Sequence, residues 1–219
     1  HYALTLEHLI AFVGTLDVAL SNAKCASVYN YVRPELCLSE ERFVEAIGLR
    51  HPLIESREEN GIYIPNDLFL GTPRAKMTHD HITLEATELK EVQGILLYGI
   101  NSSGKSSLMK SLGMAVIMAQ SGFFVPCASL RFSLFDKLFT RIMSHDNLYK
   151  GLSTFTVEML ELKNIFNRAT PYSLVLGDEI SHGTETESAL AIVASAIKKM
   201  DTLGSLFVFA THLHQLGHL

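Results

Sequence analysis

The chain has 219 residues, 47% of them hydrophobic and 19% charged, which suffices for one sizeable core with or without an appendage and excludes a disordered or fibrous protein. Acidic residues outnumber basic ones 23 to 18, and the formal charge of -5 excludes a molecule that coats nucleic acid by overall charge; any such grip needs a local basic patch, a partner or other segments. Cys25, Cys37 and Cys127 show no CxxC spacing, which argues against a disulfide framework or a zinc site and for free thiols in a reducing compartment.

From Tyr2 to Tyr31 the apolar residues Leu6, Leu9, Ile10, Val13, Leu16, Leu20, Ala23 and Val28 recur at helical steps, predicting a long helix that Pro34 stops. Placed ahead of the first strand, this helix is either an arm joining something else or an amphipathic helix folded back on the domain. The first residues lack the basic-then-apolar order of a signal peptide, and the longest apolar runs, such as Ser205 to Ala210, fall short of a membrane span. The expectation is a soluble, intracellular protein with no membrane partner.

Between Phe43 and Leu89, short apolar clusters broken by Pro52, Gly61, Pro65 and the Gly71 to Pro73 turn predict a lobe of short strands without a long helix. His79 and His81 flank Asp80 there, with no second ligand cluster, and read as a solvated loop. Gly94 to Gly99 is a continuous apolar run, expected as a strand buried on both faces, and a helix follows from Gly104 to about Gln120. A helix around Phe155 to Arg168, a buried strand at Ser173 to Leu176, a helix from about Thr184 to Met200 and a strand at Leu206 to Ala210 continue the alternation. This order predicts an α/β fold with a mostly parallel sheet flanked by helices on both sides.

Gly99-Ile100-Asn101-Ser102-Ser103-Gly104-Lys105-Ser106 matches GxxxxGK[ST], between that strand and that helix, which is the context a P-loop requires. Its glycines let the backbone curl so that N–H groups face phosphates, and the helix start adds a positive dipole end. Lys105 is placed to bridge the β- and γ-phosphates of ATP and Ser106 to ligate magnesium. Asp178, at a strand tip, takes the second metal role, while Glu179 can reach the side of the γ-phosphate where water attacks and is the candidate general base. His212, after the last strand, would sit beside the γ-phosphate and sense it.

Further segments carry a resemblance. Ser153-Thr154-Phe155-Thr156-Val157-Glu158-Met159 is similar to an STFxVEM loop, and Asp178-Glu179-Ile180-Ser181-His182-Gly183-Thr184 to DEIGRGT. Phe209-Ala210-Thr211-His212 matches FATH, and Ala119-Gln120-Ser121-Gly122-Phe123-Phe124-Val125-Pro126 resembles AQxGxxVPA. Arg50-His51-Pro52 and Ile64-Pro65-Asn66-Asp67 resemble RHP and IPND segments. From about Leu36 onward the chain therefore resembles the ATPase domain of MutS-type DNA mismatch-repair proteins.

The resemblance implies an ABC/MutS-type ATPase head over residues 36–219, preceded in 1–35 by the end of a helical lever. It implies Mg-dependent ATP hydrolysis coupled to DNA held by domains outside this chain, and a homo- or heterodimer whose sites are completed in trans. Lys105, Glu179 and His212 would be catalytic; Gly99, Asn101, Ser102, Ser103, Gly104, Lys105, Ser106, Ser107 and Gln120 would bind nucleotide. Tyr63, otherwise readable as a core aromatic, would lie against adenine with Ile64 beside it, and Ser153 would meet the γ-phosphate across the interface. Locally, Ser153 or Thr154 can cap the following helix and leave its N–H groups facing an anion.

Ile100, Ser102, Ser103 and Ser107 depart from the family's usual GPNMGGKST, yet hydroxyls and backbone amides keep the required contacts. Ser181-His182 replaces Gly-Arg, and Leu152 stands where a polar or basic residue is common, so the departures bear on subunit communication and suggest a divergent branch. Without a mismatch-reading domain or clamp, the chain is expected to be a piece of a larger protein or a reduced paralogue. A transporter-type or chromosome-scaffold ATPase head is the alternative within the enzymes, but no LSGGQ signature is present. A nucleotide-gated interaction module of low turnover is the alternative outside them.

Overall fold

The computed structural model describes residues 2–38, 41–57, 63–71, 92–100, 103–141, 154–180, 185–213 and 215–216. Helix α1 (Tyr2–Tyr29) ends ahead of Pro34, at Asn30, whose φ of 53° is the left-handed conformation that asparagine tolerates. Tyr31 N–H then donates to Ala26 O (3.1 Å), the six-to-one bond of a Schellman cap. The Arg50 guanidinium donates to the carbonyls of Tyr29 and Asn30, both at 3.0 Å, and so satisfies two groups at the helix end.

No side chain of α1 is buried, so among the described residues the folded-back alternative is excluded and the helix projects as an arm. It is footed at its last turns, where Asn22 Oδ1 accepts from Phe124 N–H (3.1 Å) and Val32 bridges Val125. The sequence reading understated its apolar length. With a mean hydropathy of 1.6 over an 18-residue window, α1 is long and apolar enough to cross a membrane, because its polar residues interrupt the runs without lowering the average.

A small mixed sheet follows, built from β1 (Glu35–Leu36), β2 (Val44–Leu49), β3 (Asn66–Leu70) and β5 (Ser129–Phe132) in the order β1-β5-β2-β3. Strand β2 is antiparallel to both β3 and β5. The lobe thus draws a strand from far downstream, which local pattern did not reveal. A single helical turn, α2 (Pro52–Glu55), starts with proline at its first position and with His51 as its cap, Nδ1 accepting from Ile54 N–H. The His79-Asp80-His81 stretch lies outside the described residues.

The second sheet is wholly parallel: β4 (Gly94–Tyr98), β6 (Lys137–Arg141), β7 (Ser173–Asp178) and β8 (Leu206–Thr211) run in the order β4-β8-β7-β6. Side chains alternate across it with the period of two that a strand imposes. Leu174, Leu176, Leu206, Val208 and Ala210 face helix α3 (Lys105–Gln120), whose Met109, Leu112, Ala115 and Val116 also contact the small sheet's Val44, Leu70 and Leu130 in one core. Val175, Phe207 and Phe209 face the other way, onto Leu162 and Ile165 of α4 (Thr154–Arg168) and Val193 and Met200 of α5 (Thr186–Leu203). Each such aliphatic or aromatic burial contributes about 1.5–3 kcal/mol, so two helix layers hold the sheet between them.

Strand β4 corrects one expectation. It is half-buried along its length and lies at the edge of the described sheet, not between two neighbours. Its first residue must be small, because a Cβ at Gly94 would stand 2.0 Å from Cζ of Phe207 on the adjacent strand.

Candidate nucleotide site

Parallel order decides where the chemistry collects. Every strand of the second sheet ends at the same edge, and β8 lies between β4 and β7. Tyr98 is in register with Thr211, and Asp178 with Ala210, so the segments after β4, β7 and β8 emerge side by side at strand spacing of about 4.8 Å. Those segments are the glycine loop, Glu179 and His212, in the crevice beyond the carboxyl ends where open α/β sheets bind ligands.

At the loop, two glycines meet geometric demands. A Cβ on Gly99 would lie 2.7 Å from Ser103 Oγ, and Gly104 has φ +95° in the position that caps α3. With Gly104 as a cap that offers no side-chain hydrogen bond, the first N–H groups of α3 remain available to an anion. Lys105 folds back so that Nζ donates to Gly99 O (2.8 Å) and Ile100 O (2.9 Å), holding its ammonium at the loop. Ser103 and Gly104 are exposed, Ser106 and Ser107 half-buried; Asn101 and Ser102 lie outside the described residues.

Tyr63 lies against the same helix: its hydroxyl is 3.2 Å from Ser111 Oγ, which donates to Ser107 O at 2.8 Å. Ile64 is 76% exposed. Beside α3 a cavity of about 430 Å³ is lined by Ser107, Lys110 and Met114 together with His51, Ile54 and Thr140. Burial, with the Lys110 ammonium nearby, holds the His51 imidazole below its ordinary pKa.

Asp178 ends β7 nearly buried, and its Oδ1 has no hydrogen-bond partner among the described residues. A buried carboxylate oxygen without a donor costs free energy, which a cation or its water shell would offset, so the donor set of Asp178 and Ser106 suits magnesium. Glu179 adopts φ 48°, a left-handed conformation costing roughly 1–3 kcal/mol for a residue with a side chain. Its N–H donates to Ala210 O (3.1 Å), and its Oε1 stands 2.7 Å from His212 Nε2. An ionised carboxylate only accepts, so this bond requires the proton on His212 Nε2. Backbone strain stored at such a point is a mark of functional sites.

Gln120 does not join this group, and that expectation is corrected. It lies about 22 Å farther along α3 than Lys105 at 1.5 Å per residue. Both ends of its amide are taken by Phe135, Oε1 accepting from N–H (2.7 Å) and Nε2 donating to the carbonyl (3.1 Å). Ser153 and the Ser181-His182 segment lie outside the described residues.

Sequence reasoning passed over Arg141, which ends β6 in register with Gly177 and faces Glu158 and Glu161 of α4. An arginine closing a strand, answered by carboxylates three apart on the next helix, was the available signal.

Comparison with known proteins bears on the whole chain. The family model for MutS domain V matches residues 95–219. The mitochondrial DNA mismatch repair protein mutS homolog of Sarcophyton glaucum is 40% identical over 215 residues, covering 96% of this chain and 20% of that protein. DNA mismatch repair protein MutS of Thermodesulfovibrio yellowstonii is 39% identical over 213 residues, covering 94% of this chain and 23% of that protein. Its namesake in Shouchella clausii is 37% identical over 219 residues, covering 100% of this chain and 23% of that protein. The chain thus spans about a fifth to a quarter of the length of these relatives.

Proposed function

As a member of the MutS family, this chain, we propose, is a P-loop ATPase head that binds Mg-ATP, hydrolyses it and couples nucleotide state to DNA binding. The observation that carries this reading is the shared edge of the parallel sheet, where the glycine loop, buried Asp178 and the Glu179–His212 pair emerge on neighbouring strands. Residues 36–219 form the ATPase domain, and 1–35 the end of a lever leading to DNA-handling parts of the full protein.

In this reading Lys105 exchanges its two carbonyl contacts for phosphate oxygens. The amides of Gly99 to Ser107 cradle the phosphates, and Tyr63 with Ile64 borders the adenine. Ser106 and Asp178 would hold magnesium, which when bound would neutralise charge on the phosphate oxygens. Glu179 accepts the proton of the attacking water, and His212 Nε2–H fixes the carboxylate's direction by occupying one of its oxygens. Fixing the base in this way favours attack in line with the leaving group. Two heads, as a homo- or heterodimer, complete each other's site through Ser153.

A family-level relation to intracellular DNA-repair proteins, one of them mitochondrial by name, supports an intracellular location. A lipid-spanning role for α1 is disfavoured by Asp17 near its middle, since a charged residue at a bilayer centre costs about 2.5–3.5 kcal/mol.

The test is Glu179→Gln with Mg-ATP. Binding should persist while phosphate release falls about 100-fold or more, the range for losing a general base. Normal turnover in this variant would show that the base is misassigned. Tight binding by the unaltered protein with no magnesium-dependent phosphate release at any protein concentration would favour a nucleotide gate instead.

A further inference from the structure

Arg141 is a nearly buried cation, its side chain 11% exposed, set between a strand end and a helix. Its Nε stands 2.7 Å from Glu161 Oε2, an ionic contact not aligned as a hydrogen bond, and its guanidinium is 4.0 Å from Glu158 Oε1. Glu158 is itself almost fully buried, with 4% of its side chain exposed. Assembling such a group costs desolvation energy that well-packed apolar side chains would avoid, so mere adhesion of α4 is poorly served by it. Adhesion is already supplied by Leu162 and Ile165 against Val175 and Phe209.

A single buried cation that two carboxylates of one helix must both reach instead selects one rotation and one axial position of that helix. Glu158 and Glu161 lie three residues apart, on one face of the first turns of α4, and only one setting of the helix brings both to Arg141. Arg141, in register with Gly177, stands one residue short of the level of Asp178. The contact therefore references the start of α4 to the sheet edge that carries the candidate site.

We propose that Arg141 is a positioning residue for hydrolysis in the partner's site. Through Glu158 and Glu161 it sets the start of α4, the helix that begins one residue after Ser153, so that each chain presents it correctly to the nucleotide on the other chain. This rests on the composite site proposed above. Arg141 touches neither nucleotide nor metal.

The experiment uses the dimer and three variants. Arg141→Met keeps length and apolar bulk but removes the charge; Glu161→Gln is milder, since that residue is 43% exposed and leaves the fold secure. Arg141→Met should bind Mg-ATP within about twofold of the unaltered chain, while kcat falls roughly 10- to 100-fold, as for small misplacements of a reacting group. Glu161→Gln should shift the same quantities in the same direction by less.

Dimers pairing one Arg141→Met chain with one Glu179→Gln chain, isolated through two different tags, then locate the effect. The site with an intact Glu179 receives α4 from a chain with an intact Arg141, so these dimers should retain about half the unaltered activity, one working site of two. Mixed dimers as inactive as either parent would overturn the inference, because Arg141 would then serve its own chain's site. So would unaltered kcat in Glu161→Gln together with Arg141→Met, or, should Arg141→Met not fold, in Glu161→Gln alone. Turnover by the unaltered chain that is independent of dimer formation would instead remove the composite site beneath it.

Discussion

Replacing Asp178 by asparagine should make the chain more stable and less able to bind magnesium-nucleotide. Asp178 is 6% exposed, and its buried Oδ1 finds no donor among the described residues, so a polar atom there is left unsatisfied. An amide of nearly the same shape removes the charge while leaving β7 and its pairing to Ala210 intact. Leaving a buried polar atom unsatisfied costs about 1–3 kcal/mol, and the amide, itself polar, recovers only part of this, so a gain of about 1 kcal/mol is expected. For a chain of this size that corresponds to a rise in Tm of roughly 2–4 °C. Urea unfolding in nucleotide- and magnesium-free buffer, read as a higher midpoint at unchanged slope, measures the gain; thermal shifts with ATP in the presence and absence of magnesium measure the loss. A variant less stable than the unaltered chain would refute the unpaired-carboxylate argument, and retained magnesium-dependent stabilisation would refute the metal role.

The close approach of Phe207 to Gly94 predicts that Gly94→Ala forces the ring off the strand, costing about 1–3 kcal/mol in urea midpoint analysis; no change would mean the ring moves freely. His51 has its folded pKa lowered, by burial first and then by Lys110, so the unfolded chain binds the proton more readily. Its contribution is therefore fully present above the ordinary value of 6.5 and lost as pH falls from there toward the folded value. His51→Asn, which can still cap α2, should flatten that part of a stability-versus-pH curve, and an unchanged slope would count against the assignment. Burial pushes the Cys127 thiol up to about 12, so at pH 8 a thiol reagent should label exposed Cys25 rapidly and Cys127 only after denaturation; early labelling of Cys127 would show that the core opens.

The elements legible in the sequence share one property: their signal is local. The GILLYG run and the GxxxxGK[ST] match are contiguous, and the strand before the loop and the helix after it are present as expected. Strand β5 escapes the sequence because SLRF alternates over only four residues, too short for a period of two to stand out, and β6 because KLFTR carries charge and is only partly buried, so neither continuous apolarity nor alternation marks it. Pro34 was the visible helix breaker, yet Asn30 together with Arg50, twenty residues away, ends α1 first. Likewise the Glu179–His212 contact joins residues 33 apart, and the amide of Gln120 is spent on Phe135. Long-range pairing of polar groups leaves no periodic trace in a sequence, and those pairs are what separate motif residues that reach the site from motif residues that brace the scaffold.

Helix α3 has the glycine loop at one end, while just past its other end Phe124 and Val125 grip the foot of α1. Sixteen helical residues make a strut of about 24 Å, too stiff to absorb a shift within its own length. The part of α1 ahead of Asn22 reaches about 30 Å at 1.5 Å per residue, so a tilt of ~5° at its foot sweeps its far tip by about 2.6 Å. A displacement no larger than a side-chain adjustment at the glycine loop would thereby be carried, through two rods and one joint, to a tip about 30 Å away without being damped.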